Sequence, residues 1–72
     1  MKLHVYKMKD GIESNWDDVD FETECEVIAV INGEDNEACE KKASEEYPDT
    51  DIYGYTYTND LEESDEIKEI HT

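Results

Sequence analysis

His4, Cys25 and a nearby carboxylate are the residue types from which a thiol nucleophile is built, so they are the first place to look for chemistry in this chain. A catalytic thiol must be exposed beside a general base in order to ionise. Cys25 instead opens the alternating segment "CEVIAVI", which places its side chain on a core face where a thiol is inert. "DTDIYGYTYTND", residues 49–60, carries Asp at its first and third positions, Gly at its sixth and an acid at its twelfth, a partial match to a calcium-binding EF-hand loop. Tyr53 occupies the fifth position, the twelfth is Asp rather than Glu, and the segment has strand periodicity, so only loose association of divalent cations is expected. His4 and His71 have no ligand spacing. The sequence therefore predicts no enzyme, no cofactor and no metal centre.

Carboxylates remain as the candidate chemistry. The chain has 22 acidic residues against 6 lysines and no arginine, a formal charge of −16. Between Lys9 and Lys41 there are 12 acids and no base, so the negative field of that stretch is nearly uncompensated. In "VDFETECEVIAVINGED", residues 19–35, Glu22, Glu24 and Glu26 occupy every second position. On a strand rising roughly 3.3 Å per residue they would form a row at about 6.6 Å intervals on the face opposite the core. Duplex DNA carries about one charge per 1.7 Å of axis, and the proteins that bind it offer basic grooves to that array. A rigid carboxylate row can occupy such a groove, while the same charge repels nucleic acid itself.

Other candidate contacts surround the row. Asp17, Asp18 and Asp20 precede it, and Trp16 in "SNWDDVD" reads either as a lid over the sheet edge or as an aromatic anchor at an interface. Tyr53, Tyr55 and Tyr57 form an aromatic stripe that either covers a sheet face or contacts a protein partner.

These residues need elements to position them. "KLHVYKM", residues 2–8, alternates as a strand; residues 9–20 read as a long acidic connection; and "FETECEVIAVI", residues 21–31, is the strongest strand signal. Its odd-numbered residues, Phe21 to Ile31, form the expected core face. Asn32 or Asp35 caps a following helix whose stripe Cys39, Ala43 and Tyr47 lies on the sheet, and Pro48 ends it. In "INGED" the Asn-Gly pair supplies a turn tolerant of positive φ at Gly33. Residues 51–58 alternate as a third strand. The expectation is a small α+β fold of order β-β-α-β, with one helix on one face of a three-stranded sheet, or a four-stranded one if the C-terminal segment joins it. The helical connection makes the second and third strands parallel, with room for the first between them. Residues 1–58 form a single domain, and residues 59–72 an acidic segment read as short helix, edge strand or frayed tail.

At 72 residues one modest core is the most the chain can bury. Residues 1–8 alternate in polarity and do not resemble a secretory signal, no window suits a membrane span, and Cys25 and Cys39 lack the density of a disulfide scaffold. A reducing cytoplasm is the expected setting.

The segment "ECEVIAVINGEDNEACEKKASEEYP", a strand passing through Asn-Gly into an acidic helix ended by Tyr-Pro, resembles the small acidic anti-defence proteins encoded by bacteriophages. It is similar in kind to anti-CRISPR and anti-restriction proteins that mimic DNA. The resemblance covers about a third of the chain. It implies a protein without chemistry of its own that acts in the host-cell cytoplasm, binds a basic nucleic-acid-binding protein such as a CRISPR or restriction effector, and blocks its nucleic-acid site. The alternative is an acidic interaction or adaptor module whose charge serves solubility and which can dimerise through its open sheet face.

Overall fold

A computed structural model describes residues 1–13, 15–58 and 61–72. Its elements are β1 (Lys2–Met8), α1 (Phe21–Glu24), β2 (Cys25–Asn32), α2 (Asn36–Glu46), β3 (Tyr53–Thr56) and β4 (Glu62–His71). Among the described residues the strands form one mixed sheet in the order β3-β1-β2-β4. β1 runs antiparallel to both β2 and β3, and β4 runs parallel to β2. The α+β class is as expected, and β1 does lie between β2 and β3. The element order differs, because a short helix precedes β2 and a fourth strand follows β3.

The alternation of β1 and β2 aims Leu3, Val5, Ala29 and Ile31 at α2, where they meet Cys39, Ala43 and Ile70 in one buried cluster. α2 forms where expected because the Asp35 side chain caps it, accepting a hydrogen bond from the Ala38 amide at 2.8 Å. At the other end Pro48 has no amide hydrogen with which to continue it. Cys39 and Ala43 are small, which lets the helix axis approach the sheet closely. Gly33 at the β2–α2 corner is needed for a different reason from the one expected. Its φ is not positive; a Cβ there would stand 2.9 Å from Cys39 Sγ and 3.0 Å from Thr72 Oγ1.

Two irregularities shape the sheet. Val5 pairs with Ala29 but Tyr6 pairs with Val27, which leaves Ile28 as an extra residue in β2. Such a bulge reverses which face the following residues use. Cys25 and Val27 are therefore buried on the side of Tyr6 and not with the α2 cluster, although sequence alternation predicted a single core face. The second irregularity lies in β4. β2 advances two residues from Val27 to Ala29 while β4 advances five, from Glu63 to Lys68, so residues 64–67 arch out of the ladder, with the Ser64 hydroxyl donating to the Glu66 carbonyl at 2.8 Å. Of the three alternatives for the C-terminal segment, strand is the one formed. Ile70 pairs with Ile31 and is buried, a contact that outweighs the weak helical spacing of Ile67 and Ile70.

Candidate partner-binding surface

The expected row of carboxylates on β2 is not present. Residues 21–24 turn as helix α1: the Asp20 side chain accepts from the Glu22 amide at 3.1 Å, and the Glu24 amide donates to the Asp20 carbonyl at 2.7 Å. An Asp cap with glutamates behind it favours a helical turn, and in four residues that local signal outweighs a period-2 pattern. Glu22 and Glu24 thus sit on a turn and only Glu26 on the strand. Glu26 pairs with Lys7, which pairs with Tyr53, so it lies on the α2 side of the sheet rather than opposite it.

What the structure builds instead is an aromatic wall beside exposed acids. Trp16 in the connection stacks on Phe21 at 6.2 Å and 20°, and both meet the Tyr6 ring edge-on, at 5.9 and 5.8 Å. Trp16 Nε1 donates to the Asp51 carbonyl at 2.7 Å, tying the connection to the turn before β3. Trp16 is a lid, but it covers the sheet face at the inner strand β1 and not a sheet edge as expected. Gly54, paired with Tyr6, permits it, since a Cβ there would fall 2.3 Å from the Tyr6 ring. The second sheet face, expected to be open, is thereby covered at one end. Beside the wall lies a recess of about 280 Å³ lined by Tyr6, Phe21, Glu22, Thr56, Thr58 and Leu61. Phe21 is 41% exposed, and Asp17, Asp18 and Asp20 are exposed on the same connection. The sequence reading placed Phe21 in the core and did not single out Tyr6 or Leu61. The available signal was Trp16 and Phe21, two large aromatics bracketing an otherwise polar, acidic connection.

The tyrosine stripe divides. Tyr53 packs on Tyr47 at 5.0 Å, and the Tyr55 hydroxyl donates to the Tyr47 and Ala43 carbonyls at the end of α2. Both are supports for α2. Tyr57 lies past β3, 39% exposed, and its hydroxyl donates to the Asn36 carbonyl at 3.3 Å.

Cys25 and His4 do not come together. Cys25 pairs with Met8 and His4 with Val30, five residues apart on β2, or about 16 Å at the usual strand rise. Burial pushes the Cys25 thiol above its ordinary value, and the Glu24 and Asp20 carboxylates add to the push. His4, 8% exposed, lines a second recess of about 500 Å³ with Lys2, Val30, Glu63, Ile67 and Glu69, and its buried Nδ1 has no hydrogen-bond partner among the described residues. Among the described residues no group of three or more His, Cys, Asp or Glu could hold a metal ion. The EF-hand reading fails locally, because residues 53–56 are strand; Asp60 lies outside the described residues.

Ion pairs among the described residues join Lys7 to Asp10 at 3.5 Å, Lys42 to Glu46 at 3.4 Å, and Lys9 to Glu62. The hydrogen bond from Lys9 to Glu62 holds the ammonium above the ordinary lysine range. With 6 lysines for 22 acids, most carboxylates have no lysine of their own. No described helix is long and apolar enough to cross a membrane. Comparison with protein-family models, curated proteins and solved structures finds no match.

Proposed function

We propose that this chain is an anionic decoy, which binds a basic nucleic-acid-binding protein of the host's defences and occupies its nucleic-acid site. The observation that carries the reading is linear charge density. The chain extends 34 Å along its longest axis with a cross-section of 21 × 18 Å, and dividing 34 Å by the 16 net charges gives about 2.1 Å per charge. Duplex DNA has about one charge per 1.7 Å, and one helical turn spans about 34–36 Å. The exposed acids belong to separate parts of the fold: the connection and α1, the β2–α2 corner and the outer side of α2, the turn before β3, and β4. α1 and α2 are each fixed by an aspartate cap and the ends of β4 by the β2 ladder, so that part of the array is pre-organised and costs less ordering entropy on binding.

Competition tests the reading. Proteins retained from bacterial lysate on the immobilised chain are challenged with duplex DNA and with polyglutamate of equal total charge. Release by DNA where polyglutamate releases little is the expected result. Equal release by both polymers would reduce the charge to a solubility device.

A further inference from the structure

The recess beside α1 has a composition that general acidity does not require. Its walls are the Phe21 and Tyr6 rings, Leu61 and two threonines, with the exposed Glu22 among them. We propose that this recess receives an arginine side chain of the basic partner. The inference rests on the reading that the partner is basic, and it adds where on this chain that partner is gripped and by which cation.

The chemistry selects guanidinium over ammonium. A guanidinium is planar and weakly hydrated, stacks on aromatic faces and forks onto a carboxylate, whereas a lysine ammonium is a compact, strongly hydrated point charge. Phe21 offers an exposed ring and Glu22 a carboxylate on the next residue, while Leu61 and Tyr6 can cover the methylene stem. The aromatic wall is already held by the Trp16 stack on Phe21 and by the Trp16 bond to the Asp51 carbonyl. An aromatic recess ringed by charge is also where binding energy concentrates at interfaces, and arginine is among the residues enriched there. A purely apolar side chain would leave Glu22 desolvated without a partner.

Trp16 is the only tryptophan, so its fluorescence reports directly on the wall. Oligoarginine and oligolysine peptides of equal length are titrated into the intact chain at an ionic strength of about 0.15 M, where surface attraction is screened beyond roughly 8 Å. Oligoarginine should bind about tenfold tighter than oligolysine and shift the Trp16 emission, as stacking and bidentate pairing predict. Glu22→Gln and Phe21→Leu should each bring the two peptides close to parity, and Glu63→Gln, on β4, should leave the preference intact. Glu22 is exposed and its variant keeps the fold, so Glu22→Gln decides the matter alone if Phe21→Leu melts. Equal affinities for the two peptides in the parent, or a preference that survives Glu22→Gln, would overturn the proposal. The peptides contain no nucleic-acid site, so their outcome is independent of the DNA competition. Loss of competition with the arginine preference kept removes the decoy and leaves the recess.

Discussion

The two faces of the sheet are built on opposite plans. On the α2 side, aliphatic residues from three strands meet two small helix residues, and Leu3, Val5, Ala29, Ile31, Cys39 and Ala43 have 1% exposure or less. On the other side three aromatic rings touch edge-on or stacked, and one of them, Phe21, remains 41% exposed. The first arrangement is close-packed and has nothing left to offer a partner. The second leaves a recess and an unfinished ring. The lesson is that a chain this small finishes its second face only in part: Cys25 and Val27 are buried there while Phe21 is not, and the incompletely covered end is where contact with another molecule can add stability.

Truncation should separate the faces most strongly. Ile31→Ala removes a fully buried side chain and should cost about 2–5 kcal/mol, enough to unfold a domain of this size. Phe21→Ala should cost less, about 1–2 kcal/mol, because the ring is already 41% exposed. Denaturant unfolding of the two variants checks this, and similar costs would erase the distinction between core and surface wall.

A single methyl group tests whether the aromatic side is ordered. Gly54→Ala drives a Cβ into the Tyr6 ring and should destabilise by about 1–3 kcal/mol. The Trp16 emission should change with it, since Tyr6 and Trp16 are in contact. An unperturbed Gly54→Ala protein would mean that the Tyr6 ring swings freely, and the wall would then be no wall.

Alkaline pH draws on both faces. Burial raises Cys25 and Tyr6 on one side and Tyr47 and Tyr55 on the other. Each acid is neutral when protonated and harder to ionise folded than unfolded. Stability from this source is therefore intact below the unfolded values, near 9 for cysteine and 10 for tyrosine, and is lost as pH rises through the raised folded values. Thermal midpoints should hold below about pH 8 and fall above about pH 9, where unfolded cysteine begins to ionise. In Cys25→Ala the first part of that fall should be reduced, and a decline of unchanged shape would assign it to the tyrosines.

Salt should produce the smallest change, and it should not distinguish the faces. Screening shortens the reach of repulsion to about 8 Å at 0.15 M, so the melting midpoint should rise by a few degrees over its low-salt value. A midpoint that stays level or falls would show that ion pairs such as Lys9–Glu62 contribute more than repulsion costs.

Local patterns settled much of this molecule in advance. β1, the buried half of β2, the α2 stripe of Cys39 and Ala43, and the stop at Pro48 all follow from periodicity and capping, which act within a few residues. The net charge follows from composition alone, and the class of partner proposed above rests on it. The helical turn at residues 21–24 was also written locally, in Asp20 and the glutamates behind it, but alternation over the same residues concealed it. The remainder required the assembled sheet. Ile28 becomes a bulge only because β1 must pair on both sides of it, and that one extra residue sends Cys25 and Val27 to the Tyr6 side. β4 becomes a strand because β2 has a free edge and Ile31 a place for Ile70. The recess depends on Tyr6, Phe21 and Leu61, three residues brought together from a strand, a helical turn and the approach to β4. No spacing along a chain encodes such a meeting, because it arises when separate elements compete to cover the same apolar surface.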